Sequence, residues 1–264
     1  MRLFLLRFFK EKTACNLISF VLILTVLTSL LSSCSGSYFK YQNTYIGAFD
    51  TVTVITGYSA SKKEFDSFSE EIYDSLEDYS RLYDIYNEYD GLNNLKTVND
   101  SAGVSPVIVD DKIIDLLEFS KTVYFLTDGS VNIAMGSVLR LWHAERELSE
   151  NNPASAKLPE VNLLREASNH VSIDGIIIDR NNNSVFISDS DSSIDVGAVA
   201  KGYALERVSS EIDKKYDISA VINVGGNVTT VGSVSKSKNF TVGIKNPDSP
   251  DNSVRTVSVS GAFR

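Results

Sequence analysis

The clearest signal along the chain is a change of hydrophobic period. Phe65, Phe68, Ile72 and Leu76 recur at steps of three and four within residues 61–79, which predicts an amphipathic helix. Residues 49–56 just before it alternate Val52 and Val54 against Thr53 and are rich in β-branched residues, so they read as a strand ended by Gly57. Ile113, Leu116, Leu117, Ser120 and Tyr124 predict a second helix over 110–126, with Asp110 or Asp111 as N-cap and Thr127-Asp128-Gly129-Ser130 as its stop. Shorter helices are expected over 131–142 and 161–169, with a polar loop over 149–156. Short strands follow over 171–173, 175–179 and 184–187, joined by turns at Asp174-Gly175 and over 180–183, and over 219–223, 228–231, 240–244 and 254–259, and strand-like character continues from 184 to 194. Turns fall at Gly225-Gly226-Asn227, Asn246-Pro247-Asp248 and Ser249-Pro250-Asp251. Strands mixed with helices, without regular alternation, predict an α+β domain.

Two stretches stand out from that pattern. In Asp195–Arg207 the small residues at 197, 198, 200, 202 and 204 lead into a helix whose buried face is Leu205, Val208 and Ile212. Lys201 sits near the helix start, where a lysine gains nothing from the macrodipole. Two readings fit: a helix N-terminus and a cation that together hold a phosphate, or a tightly packed strand–helix junction with a solvent-facing lysine. The other stretch is Tyr79, Tyr83, Tyr86 and Tyr89, at steps of four, three and three, running into a turn-rich loop. Core packing and aromatic stacking on a ligand are both open to it.

The N-terminus changes the picture of where the chain resides. Arg2, Arg7, Lys10 and Lys12 precede a mostly apolar run over 17–31 that ends in Leu31-Ser32-Ser33-Cys34. That order reads as an export signal, and the run is short for a membrane span. The residues before Cys34 are similar to a bacterial lipobox, so residues 1–33 are expected to be a lipoprotein signal peptide. Cys34 would then carry the lipid that anchors the exported protein to the outer face of the membrane. Residues 34–44 read as a tether and 45–264 as the functional domain. The only other cysteine, Cys15, lies in the signal segment, which leaves no disulfide framework, thiolate zinc site or thiol nucleophile in the domain. The chain's net charge is −9; with the segment 1–33 carrying a net +3, the remainder carries −12. Such a balance argues against nucleic acid as a partner.

Chemistry-bearing motifs are individually weak. His143 and His170 are far apart in ordinary contexts and read as structural. No HExxH, Walker A or GxSxG pattern is present, and Gly225-Gly226 reads first as a hairpin turn.

Four stretches taken in order are more specific: Phe49-Asp-Thr-Val, Thr127-Asp-Gly-Ser-Val-Asn-Ile, Ile194-Asp-Val-Gly-Ala-Val-Ala-Lys-Gly-Tyr-Ala and Val221-Ile-Asn-Val-Gly-Gly-Asn. Together they resemble the ApbE-like flavin transferases, which move FMN from FAD onto a protein. The run Val242-Gly-Ile-Lys-Asn-Pro and the tyrosine stretch over 83–90 fit the same family, and the resemblance covers about residues 45–264. It implies an ApbE-like, T-fold-related α+β domain, a mixed sheet with flanking helices. It implies FAD as flavin donor, a redox protein as acceptor at a Ser or Thr hydroxyl, magnesium, and release of AMP. Position by position, it implies FAD contacts at Asp195 and Lys201, a magnesium ligand in the Ala198 backbone carbonyl, and a cofactor contact at Phe49, where many members have Met. Tyr86 or Tyr83 would supply a ring stack. Ser130, Val131 and Asn132 occupy the place of the family's Ala-Phe-Asp and would contact the cofactor, with side-chain contacts altered by the departures at 131 and 132. Some members are similar to FAD pyrophosphatases, so FAD binding or hydrolysis without transfer is the alternative. A solute-binding lipoprotein is disfavoured, because repeated βαβ units are missing.

The resemblance also sets an expectation for the C-terminus. Val259-Ser-Gly-Ala-Phe-Arg is similar to the start of a family strand that precedes a His-bearing segment, then an Asp and a Thr of the metal site. The catalytic groups are therefore expected beyond Arg264, the domain is expected to be C-terminally incomplete with a bare sheet edge, and FAD binding by the chain as given is expected to be weak or absent.

Overall fold

In the computed structural model, which describes residues 38–232 and 240–259, the period change in the sequence becomes a helix laid across a sheet. The helix α1 (Lys62–Tyr83) starts where the Ser61 side chain accepts the Glu64 backbone N–H, and it buries Phe65, Phe68, Ile72, Leu76, Tyr79 and Tyr83. It runs four residues beyond the expected end, because Leu82 and Tyr83 still point into the core. Each fully buried aromatic or aliphatic side chain contributes about 1.5–3 kcal/mol relative to exposure, which is enough to carry the helix one turn further.

The main sheet has the order β1-β2-β6-β7, from β1 (Phe39–Ile46), β2 (Val52–Ser59), β6 (Ser219–Val224) and β7 (Asn227–Val231). Strand β2 pairs antiparallel with β6 from Thr53↔Val224 to Tyr58↔Ser219, and β6 pairs antiparallel with β7. The β6–β7 loop is the two residues Gly225-Gly226, with φ of 55° and 98°. Two consecutive left-handed positions are what a tight twisted hairpin requires, so the plain turn reading holds. A Cβ on Gly225 would also fall 2.4 Å from the Thr51 hydroxyl oxygen.

The expected tether is corrected in part. Residues 39–44 belong to β1, in which Tyr41 packs on Phe65 at a 5.6 Å centroid distance and Tyr45 stacks on Tyr73 at 4.6 Å. Cys34, the proposed signal segment and residues 260–264 lie outside the described residues.

A second sheet has the order β3-β5-β4, from β3 (Val107–Ile108), β4 (Ile176–Asp179) and β5 (Ser184–Ile187). The strand Ser184–Ile187 forms as expected, and the strand-like run does not continue to Ile194, since residues 188–199 turn through hydrogen bonds such as Asp191 N–H to Asp189 Oδ1. Residues 173–175 form a 3-10 turn, which agrees with a turn at Asp174-Gly175, but the strand expected over 171–173 is not formed. The helix α2 (Leu95–Asp100) carries an Asn94–Thr97 capping box, and α3 (Asp111–Leu126) is capped by Asp110. The next helix, α4 (Gly136–Asn151), is shifted from the expected 131–142, because residues 132–135 are drawn out along 193–195. It continues through the charged stretch 145–151 to the Asn152-Pro153 break. A short helix α5 (Val161–Ala167) precedes the second sheet, and α6 (Ala200–Ile212) buries Ala204, Leu205, Val208 and Ile212. Strands β8 (Phe240–Asn246) and β9 (Ser249–Val259) form an antiparallel ribbon, so the expected turn at 249–251 is strand. No helix among the described residues is long and apolar enough to cross a membrane.

Candidate functional site

The four sequence stretches that lie apart in the chain are tied to one another by hydrogen bonds and close contacts. Asp195 N–H donates to the Ile133 carbonyl at 2.8 Å, joining the third stretch to the second. Gly225 N–H donates to the Val52 carbonyl at 3.1 Å, joining the fourth to the first. A Cβ on Gly202 would come 3.6 Å from Asn227 Oδ1, so the start of α6 faces the β6–β7 turn.

Beside these links lies a cavity of about 500 Å3. Phe49, Tyr83, Tyr86, Asp195, Ala198 and Lys201 all line it, so the structure brings together six residues expected from sequence. Phe49 is held at φ 55° with its N–H donated to Ser80 Oγ at 2.7 Å. A non-glycine residue in that region costs energy, which the surrounding packing must offset. Tyr83 is 4 % exposed and Tyr86 53 %, so Tyr86 is the ring free to meet a ligand. Burial first, and then the Asp195 charge, push the Tyr86 phenol above its ordinary range.

Asp195 presents a nearly buried carboxylate whose Oδ1 accepts the Gly197 N–H at 2.8 Å. Among the described residues no backbone N–H donates to the Ala198 carbonyl; Val199 and Ala200 N–H go to the Val196 carbonyl, and Tyr203 N–H goes to the Val199 carbonyl. A free carbonyl next to a carboxylate suits a hard cation such as magnesium. Lys201, partly buried at the second position of α6, has no carboxylate within ion-pair distance among the described residues.

Ser130, Val131 and Asn132 are not part of the cavity's lining. Asn132 is spent on structure: its Nδ2 donates to the Val171 carbonyl and its Oδ1 accepts the Ala134 N–H, both at 2.9 Å. This stretch reaches the cavity only through Ile133 and Asp195. A larger concavity, of about 600 Å3 around Leu92, Thr97 and Asp110, contains none of the expected site residues.

Sequence reasoning missed three contributors. His143 and Arg146 line the cavity from α4, one helical face with Leu139 at steps of four and three. That periodicity was hidden by the expectation that the helix stops at Trp142. Asp84 organises the tyrosine loop: Oδ1 accepts Tyr86 N–H at 2.7 Å and Asn87 N–H at 3.0 Å, and Oδ2 accepts Tyr89 OH at 2.8 Å. Burial opposes its ionisation, but these bonds and that from Asn87 Nδ2 outweigh burial and hold the carboxyl below its usual range. Burial and the Asp84 carboxylate push Tyr89 up to about 12. An aspartate two residues before the bonded N–H is the Asx-turn signal that could have marked it.

His170 is away from the cavity lining. Its Nδ1 lies 2.8 Å from Asp189 Oδ2, and with Asp191 the three side chains gather within 4.8 Å.

The sequence model described as the ApbE family matches residues 49–263. An FAD:protein FMN transferase of Klebsiella pneumoniae is 27 % identical over 175 residues, covering 64 % of this chain and 51 % of the relative. One from Treponema pallidum is 25 % identical over 190 residues, with the same coverage. The chain thus spans about half the length of the curated relatives it matches. Among solved structures, an ApbE protein from Thermotoga maritima superposes with a TM-score of 0.69 at 23 % identity, covering 86 % of this chain and 69 % of the other. The apo flavinyl transferase ApbE of Pseudomonas stutzeri gives 0.65 at 14 %, covering 84 % and 67 %. These likenesses establish the ApbE fold and agree with the α+β expectation.

Proposed function

The chain belongs to the ApbE family, and on that premise we propose that its cavity binds FAD for transfer of FMN to a Ser or Thr hydroxyl of an acceptor redox protein. The observation that carries the reading is the convergence of Phe49, Tyr86, Asp195, Ala198 and Lys201 on one cavity from three distant stretches. In the reaction the acceptor oxygen forms a phosphoester bond to the FMN phosphorus. The pyrophosphate bond to the AMP half breaks, AMP leaves, and the hydroxyl proton is given up.

The residues present have definite tasks in this scheme. Lys201 supplies a positive charge where phosphate charge develops. Tyr86 offers an aromatic face for the flavin ring. Asp195 and the Ala198 carbonyl offer oxygen donors, and magnesium held at the Ala198 carbonyl would supply further charge neutralisation on the pyrophosphate.

The address rests on sequence alone. We take Cys34 to be the lipidated first residue of an exported protein anchored at the outer face of the membrane. Metabolic labelling with a fatty-acid analogue tests it, and an unlabelled Cys34 would reject it.

The activity is tested by incubating the full-length protein with FAD, magnesium and an acceptor that carries a flavinylation motif. Covalent flavin fluorescence on the acceptor is expected. FMN found only free in solution would replace transfer with hydrolysis of FAD.

A further inference from the structure

We propose that His143 is a positioning residue of the flavin cavity, holding the Tyr86 ring in place between the cavity and its neighbour. The proposal rests on the flavin reading of that cavity. A smaller cavity of about 370 Å3 adjoins the first, and both are lined by Ile85, Tyr86, His143 and Asp195. These side chains form the partition between the two spaces. Asp84 fixes the backbone of Tyr86, but the half-exposed ring has its hydroxyl contacts, among the described residues, with His143 alone: 3.0 Å to Nδ1 and 3.4 Å to Nε2.

Of the two imidazole nitrogens, Nδ1 is the nearer to the phenol and lies at hydrogen-bond distance from it. A neutral imidazole has one donor and one acceptor nitrogen and a phenol can do both, so the pair can bond in either sense. Asp195 Oδ2 lies 3.7 Å from Nε2, beyond hydrogen-bond distance. His143 is carried by α4, which presents it to the cavity on the same face as Leu139 and Arg146. The backbone of the aromatic residue offered to a flavin is thus set by the tyrosine loop, and its ring by α4. An ordered ring costs less to bind than one that must be ordered on contact.

The test has two arms. In the first, 15N spectra of the histidine ring are recorded without flavin. The expected result is a His143 Nδ1 resonance that moves in Tyr86→Phe. A resonance indifferent to Tyr86→Phe overturns the proposal. In the second, FAD affinity is measured for His143→Ala, His143→Asn and the parent, with circular dichroism checking that all are folded. His143→Ala is expected to bind FAD about five- to tenfold more weakly, the loss of one hydrogen bond. His143→Asn, which returns a hydrogen-bonding group near the Nδ1 position, should recover most of that affinity. Parent-like binding by a folded His143→Ala, or no recovery in His143→Asn, counts against the role. If the parent itself binds no FAD, the flavin reading fails, and the first arm still decides whether His143 holds Tyr86.

Discussion

Asp84 and Tyr86 are locked together at 2.7 Å, carboxylate Oδ1 to backbone N–H, and through this bond the end of α1 fixes the backbone from which the cavity's exposed aromatic ring projects. The same carboxylate serves Asn87 and Tyr89, so its removal strands several donors at once. Asp84→Ala is expected to lower stability by about 1–3 kcal/mol in urea denaturation and to weaken FAD binding. The pH dependence has a defined sign. A carboxyl held below its ordinary value contributes stability that is present above the unfolded-state value, about 3.9, and is lost as pH falls through the folded one. The gap between parent and Asp84→Asn should therefore be constant above about pH 5 and shrink below about pH 4.

Lys201 and Asp195 are expected to separate binding from folding. Lys201→Ala should leave the circular dichroism spectrum unchanged while FAD affinity falls about ten- to a hundredfold, the scale of a charge-assisted contact. Asp195→Asn keeps an oxygen for the Gly197 N–H, whereas Asp195→Ala also loosens that turn. Both should lose flavin affinity, and the alanine should lose slightly more stability. Unchanged affinity in all three variants, read by flavin fluorescence, would reject the site.

The parts that were legible in sequence are those where one segment settles its own conformation. The helix α1 announced itself through Phe65, Phe68, Ile72 and Leu76, α3 through its apolar face and Asp110 cap, and the β6–β7 hairpin through Gly225-Gly226. Strand β1 was opaque because its inward side chains are Tyr41, Asn43 and Tyr45, alternating with Lys40, Gln42 and Thr44; without inward aliphatic residues the alternation looked like a polar tether. The same division holds in the cavity. Asp195, Lys201 and Phe49 could be found because they sit in contiguous motifs. His143 could not, since its role comes from a tyrosine 57 residues away in sequence, and only the longer helix places Arg146 beside it.

The pair His170–Asp189 gives a pH signature outside the cavity. The hydrogen bond to Asp189 raises the His170 imidazole above its ordinary 6.5, and the same bond holds Asp189 below 3.8. A raised histidine contributes stability that is full below about 6.5 and lost as pH rises through the folded value; a depressed aspartate contributes above about 3.9 and loses it below. The pair should thus stabilise most between about pH 4 and 6.5. NMR titration is expected to find His170 above 6.5 in the parent and near it in Asp189→Asn. The denaturation midpoints of the two proteins should converge in alkaline buffer.

Gly136 is expected to be intolerant of even one added carbon. It opens α4 directly against residue 193, where Gly136 N–H donates to the Ser193 carbonyl at 3.1 Å and Met135 bridges to the same residue. A Cβ there would lie 2.4 Å from Ser193 Oγ and 2.5 Å from the Ser193 carbonyl oxygen. The hydroxyl can rotate away, but the backbone oxygen cannot, so α4 or the 190–195 segment must shift. Overpacking of this kind costs about 1–3 kcal/mol. The shift would be passed on to the cavity, because α4 carries Leu139, His143 and Arg146 on one side and the displaced segment ends at Asp195. Gly136→Ala should therefore lower the denaturation midpoint and weaken FAD binding together. Gly91→Ala serves as a control for added side-chain volume, since its Cβ would meet nothing within 4 Å, although its φ of 72° keeps a small strain cost. If Gly136→Ala loses stability but binds FAD like the parent, α4 and Asp195 are not mechanically joined at this contact.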